Sequence, residues 1–192
     1  MKRSLVAILT ATALTLASAP SAAEPPGDVQ TGRLLETIGL NAAVDRVFAM
    51  YFTQHPKYSR YTQQQKACVE GLLKPEMLAA MRRSMAASIG EAAYVEEFMR
   101  FSTTSAGRKF VSYQRRDQAS RAPGDAQPDP GLPKFFKTLS SSEQKELEAY
   151  LSSPAADALR KAVPDSEPPE AVKQRLRKQS IARCGVEMMK LS

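Results

Sequence analysis

The chain has 192 residues, 27 of them basic against 20 acidic, for a net charge of +7, and 43% are hydrophobic. One histidine, two cysteines and nine scattered glycines do not supply the usual zinc ligand set or a glycine-rich phosphate loop, and they leave any histidine-dependent triad to a single ring.

The first segment in the chain reads as a leader. Lys2 and Arg3 precede the apolar run LVAILTATALTLA, and SAPSAA closes it with small residues. Ser21 and Ala23 fit the small-residue positions of a signal-peptidase site, so residues 1–23 are expected to be a signal peptide cleaved near Ala23. The run is too short for a spanning helix, and no cysteine follows it to carry a lipid. A periplasmic or secreted protein is therefore expected. Residues 24–192 suffice for a single helical domain with its own core. Without Lys2 and Arg3 this part has 25 basic and 20 acidic residues. In an exported chain that excess points to an acidic protein partner or an anionic membrane surface, not to nucleic acid.

Helical periodicity dominates the chain beyond the leader, and no strand-length alternation occurs. In LNAAVDRVFAMYFTQ, Val44, Val47, Phe48, Tyr51 and Phe52 form one broad apolar stripe. Asn41 is placed to cap that helix and His55-Pro56 to end it. Thr62 and Gln65 have capping-box spacing before KACVEGLL. Pro75 is then read as the first turn of a new helix, with Met77, Leu78, Met81 and Met85 on one face. Val95, Phe98 and Phe101 line the next helix, where Glu96 and Arg100 have the spacing of a surface ion pair. The Pro/Gly-rich stretch at 122–133 is expected to be a loop. Beyond it, Ser140 and Glu143 repeat the capping-box spacing. The final helix is expected to run through AVKQRLRKQSIARCGVEMM, with Val172, Leu176, Ile181, Cys184 and Met188 on one stripe. The expectation is an all-α, compact multi-helix bundle.

Cys68 and Cys184, an even pair in an exported chain, are expected to form a disulfide.

One pattern occurs twice. FSTTSAGRKF at 101–110 reappears 49 positions later as YLSSPAADAL at 150–159. The physical reading is a helix, a sharp corner and a second helix. Phe101 or Tyr150 packs inward, Thr104 or Ser153 caps the second helix, Pro154 suits its first position, Gly107 lets backbones approach, and Phe110 or Leu159 returns to the core. The hydroxyls are read as caps, not nucleophiles. LSSSEQKELEAYLSSPAADAL and VEEFMRFSTTSAGRKF together resemble the exported proteobacterial domain-of-unknown-function family catalogued as number 2059. Ser105 and Ala156 stand where that family has proline and glycine. The resemblance implies a small secreted helical protein and carries over no catalytic residue.

His55, in an inter-helix turn, reads as a helix-end residue rather than a catalytic base. The Met77, Met81 and Met85 row suits core or groove lining, with Cu(I) ligation the alternative. No catalytic constellation, metal or cofactor is expected. Arg82, Arg83, Arg115, Arg116, Lys173, Arg175, Arg177 and Lys178 form basic clusters that would make an interaction patch if contiguous. The function expected is non-enzymatic binding of a protein or cell-envelope component. The alternatives are an inhibitor or immunity-type protein that neutralises an envelope-targeted enzyme, and an envelope hydrolase without a recognisable motif.

Overall fold

A computed structural model describes residues 24–120, 131–162 and 164–187. The leader at 1–23, most of the 122–133 loop, and Met188 and Met189 lie outside the described residues. Nine α-helices are described and, among these residues, no strand. They are α1 (Asp28–Thr37), α2 (Leu40–Gln54), α3 (Gln63–Ile89), α4 (Ala92–Ser102), α5 (Ser105–Ser120), α6 (Leu132–Phe136), α7 (Ser141–Leu151), α8 (Pro154–Lys161) and α9 (Glu170–Gln179). A 3₁₀ turn, Tyr58–Arg60, links α2 to α3, and a π turn, Ser180–Cys184, follows α9. The fold is all-α, with one apolar core that takes residues from each of these helices, led by Leu34, Leu35, Val69, Val95, Leu147 and Leu176.

The caps read from the sequence are in place. Gln65 N–H donates to Thr62 Oγ1 and Thr62 N–H to Gln65 Oε1, and Ser140 and Glu143 make the same exchange at α7. Three boundaries differ from expectation. Asn41 is not a cap: Gly39, at φ +85°, makes the bend between α1 and α2, a backbone conformation that costs a side-chain-bearing residue energy, and α2 already begins at Leu40. Pro75 does not open a helix but lies inside α3. The carbonyl that its ring opposes is on Gly71, and both residues are exposed. Burial of Val69 and Leu73 before it and of Met81, Met85 and Ile89 after it keeps the two halves in line against the local penalty. Leu132 and Pro133, placed in the loop by composition, start α6, where proline needs no N–H partner.

The repeated stretch folds as two helix–corner–helix units, α4–α5 and α7–α8. Thr104 Oγ1 accepts from Gly107 N–H at 3.0 Å and Ser153 Oγ from Ala156 N–H at 3.2 Å, so both corners are capped alike. Ala106 and Ala155 are fully buried, and Phe110 is buried while Leu159 is half-buried. The units pack reciprocally, α4 on α8 and α5 on α7. Phe101 and Tyr150, the equivalent aromatics, stack face to face at the centre, with ring centroids 4.1 Å apart and planes 5° from parallel. Burial there pushes the Tyr150 phenol above its ordinary pKa. The arrangement is a clasp with approximate two-fold symmetry.

One side of this clasp is pinned by charge. Glu143, at the start of α7, reaches across to α5, accepts from the Ser105 hydroxyl at 2.6 Å and pairs with Lys109 at 2.8 Å. Ser105 occupies the position held by Pro154 in the other unit, and its hydroxyl is what that change provides. The Lys109 ammonium, the Ser105 hydroxyl and the Ser140 N–H together hold the Glu143 carboxyl at a pKa of about 2. An unfolded glutamate titrates near ~4.3, so the unfolded chain takes up the proton first. The stabilisation is therefore complete above about pH 4.5 and is lost as pH falls towards about 2. Urea midpoints measured across that range should fall more steeply for the native chain than for Glu143→Gln. Parallel curves for the two proteins would show that the pin contributes nothing.

The C-terminal part closes the molecule. Cys68 and Cys184 form the expected disulfide, with Cα atoms 5.6 Å apart and a sequence separation of 116. The stripe expected for the last helix is only partly realised. Leu176, Ser180 and Cys184 are buried, whereas Ile181 is 56% exposed. Residues four apart share this face, and at about 100° per residue Ile181 lies about 140° round the helix from Leu176, which leaves it outside the stripe.

Candidate functional site

The eight basic residues singled out in the sequence lie on three helices, and Arg115, Lys173 and Arg175 hold other parts of the chain. Arg115 donates from Nε and a terminal nitrogen to the carbonyls of Thr37 and Glu36, each at 2.8 Å, and so caps the C-terminus of α1, where Glu36 also accepts from Gly39 N–H. Lys173 pairs with Glu167, and with Glu170 at 3.6 Å; its side chain is largely buried. The Glu167 carboxylate beside it raises the Lys173 pKa. Arg175 pairs with Glu76 on α3, and Arg177 lies 3.9 Å from Glu170. Arg82 is half-buried, its stem over Gly32 of α1. Arg83, Arg116 and Lys178 are exposed. Glu96 accepts from Gln30 of α1 at 3.1 Å and not from Arg100.

A groove of about 530 Å³ lies between α2, the 3₁₀ turn, α3 and the segment leading into α9. The broad α2 stripe divides here. Val44, Phe48 and Phe52 are buried, while Tyr51, one helical step round, is 48% exposed and stands at the groove wall. Tyr51 stacks on His55 with ring centroids 6.3 Å apart and meets Tyr58 edge-on at 6.2 Å. Phe52 is also edge-on to Tyr58, at 5.9 Å. His55, half-buried, ends α2 with its backbone N–H on the Tyr51 carbonyl, and its Nδ1 accepts from Lys57 N–H. The rings therefore brace one another as a continuous wall. Met77 of α3 adds a thioether, while Met81 and Met85 lie deeper as core.

The opposite wall is residues 165–168. Asp165 N–H donates to Ser84 Oγ at 2.7 Å, Glu167 N–H to Asp165 Oδ1 at 2.8 Å, and Lys173 holds the Glu167 carboxylate. This anchoring fixes the segment without helical structure. Among the described residues the groove lining thus contains Asp165 and Glu167 and no Lys or Arg. Sequence reasoning missed this wall: VPDSEPPE reads only as a helix breaker, and its contact with Ser84 spans 81 positions. The one signal in the sequence is the partial exposure implied by an α2 stripe too broad for one core face.

A second, more open cup of about 440 Å³ lies on α5 and α6, with Arg108, Lys109, Ser112 and Arg116 along one side and Phe135 and Thr138 on the other. Its lining is cationic, the reverse of the groove.

Chemically, the groove offers apolar contact, ring faces and negative charge. Among the described residues no cluster of three or more His, Cys, Asp or Glu is placed to hold a metal ion, and no helix is long and apolar enough to cross a membrane. In comparisons with known proteins, no family model, curated protein or solved structure matches the chain.

Proposed function

We propose that the chain is an exported, non-enzymatic binding protein of the cell envelope, and that the groove receives a partner-protein segment presenting an apolar or aromatic side chain beside a Lys or Arg. The observation that carries this reading is the composition of the groove wall. Without Lys2 and Arg3 the chain has 25 basic and 20 acidic residues, yet among the described residues the groove is lined by aromatic rings, Asp165 and the Lys173-paired Glu167, and by no Lys or Arg. Such a surface favours an amphipathic, basic occupant, through burial and through attraction of the cation to ring faces and carboxylates. A volume of about 530 Å³ is that of a typical ligand site. The Cys68–Cys184 bond suits an oxidising compartment, and the N-terminal leader read from the sequence gives the route to it.

The inhibitor reading, which needs a charged helix face, has less support, because on α9 Lys173, Arg175 and Arg177 pair with Glu167, Glu76 and Glu170.

The chain has no tryptophan, so a short peptide with one tryptophan flanked by lysines reports its own binding by fluorescence. Saturable binding is expected, with no binding of the same peptide carrying glutamates. Tyr51→Ala should weaken it roughly tenfold, equivalent to about 1.4 kcal/mol. Asp165→Asn, which keeps an acceptor for Glu167 N–H, should weaken it less. Binding that ignores both substitutions, or that prefers the acidic peptide, would remove the groove from this role.

A further inference from the structure

The cationic cup on α5 and α6 is not used by the groove reading and has its own logic. Arg108, Ser112 and Arg116 are spaced four apart, so they lie along one face of α5, spanning about 12 Å at the helical rise. Lys109 joins them from the edge of that face, and all four line the cup. The floor is Phe135, buried and stacked on Tyr113 with ring centroids 4.4 Å apart. Two further exposed lysines, Lys134 and Lys137, stand on and beside α6. Among the described residues the lining contains no carboxylate. Glu143, which reaches Lys109 from α7, and Asp117, one residue beyond Arg116, are outside it.

The partners of these cations position them without exhausting them. Arg108 gives one terminal N–H to the Thr103 carbonyl, at the corner between α4 and α5. Lys109 is held by Glu143. A guanidinium and an ammonium each carry several N–H donors, so most of theirs remain for a ligand. Thr138 is different: its hydroxyl donates to the Phe135 carbonyl at 2.7 Å, so it contributes shape. The donors open to a ligand are therefore Arg108, Lys109, Ser112 and Arg116, two of them fixed before anything binds, which lowers the ordering cost of binding.

We infer that this cup is a binding site for the phosphate group of a phosphorylated ligand. A carboxylate has two oxygens and is served by a single guanidinium fork. A phosphate has more acceptor oxygens and suits several cationic donors converging from one side with a hydroxyl among them. The apolar floor of Phe135 would lie beneath the group that carries the phosphate. Two sources share this chemistry, a soluble phosphoester and an anionic lipid headgroup at the membrane surface.

The test uses the full mature chain, with glycerol phosphate in one arm and phosphatidylglycerol vesicles in the other. Phosphatidylcholine vesicles, which have no net charge, are the control. Binding in either arm is expected, weakened several-fold by added salt. Saturable binding of glycerol phosphate assigns a soluble ligand, and binding of the anionic vesicles alone assigns a lipid. Arg116→Gln is the clean variant, because Arg116 is exposed and the substitution keeps good helix propensity. It should lower affinity at least fivefold with an unchanged melting temperature. Arg108→Gln should lower affinity too, and stability as well, through the lost bond to Thr103. Arg83→Gln, an equal charge change on α3 outside the cup, should leave affinity unchanged. Binding in neither arm, or equal losses for Arg116→Gln and Arg83→Gln, would overturn the assignment.

Discussion

Gly107→Ala is expected to destabilise the protein by at least about 3 kcal/mol. A Cβ at this position would lie 1.8 Å from the Phe101 carbonyl oxygen and 2.6 Å from its carbon. Both are backbone atoms of the preceding helix, so no rotamer change relieves the clash. The corner would have to open, and opening it moves Phe101 off Tyr150, the stack at the centre of the clasp. The matching position in the second unit is the control, since Ala156 is buried there with its side chain accommodated. Ala156→Gly should cost only about 1 kcal/mol, through helix propensity. Denaturant titration of both variants decides the matter. A Gly107→Ala protein unfolding at the native midpoint would mean that the corner is looser than its geometry implies.

The second large effect is that of the sulfur bridge. Replacing both Cys68 and Cys184 with serine should lower stability by about 4–5 kcal/mol on the chain-entropy view, since the loop released is 116 residues long. Tyr61 adds a further tie at the same end, its hydroxyl donating to the Glu187 carbonyl at 2.8 Å. That bond involves residues close to the bridge on both sides, and reduction should loosen it. Equilibrium unfolding with and without a reductant, with the double-serine variant as reference, measures the loss. The reduced native chain and the variant should agree. A reduced protein as stable as the oxidised one would mean that the helices meet without help from the bond.

What was legible in the sequence was local. The caps at Thr62, Thr104, Ser140 and Ser153 each depend on residues three apart, and all four make the bonds read for them. The repeat was legible as a corner because aromatic, hydroxyl and small residues return in one register. Its reciprocal packing was not, since nothing within either copy specifies what covers Phe101. Helix α1 was missed because DVQTGRLLET offers only a Leu34-Leu35 pair and an exposed Val29, too little for periodicity. At Pro75 the local rule was right about the cost and wrong about the outcome, because burial on both sides outweighed it. Ile181 was misplaced because its apolar side chain was preferred to Ser180, which has the right spacing from Leu176 and is the buried one. The basic residues were visible as charges; the pairs of Lys173 and Arg177 with Glu167 and Glu170 are local, but the occupation of Arg175 by Glu76 and of Arg115 by the end of α1 depends on distant parts of the chain.

The clasp also has a consequence in time. Until α7 and α8 have been made, Phe98 and Phe101 lack the Tyr150 ring that packs on both, α4 lacks α8, and Glu143 has not reached Lys109, 34 positions earlier in the chain. A nascent polypeptide therefore passes through an interval in which one finished half displays a sticky face without its counterpart, the kind of species prone to self-association. During biogenesis, the danger for this protein is concentrated in that wait.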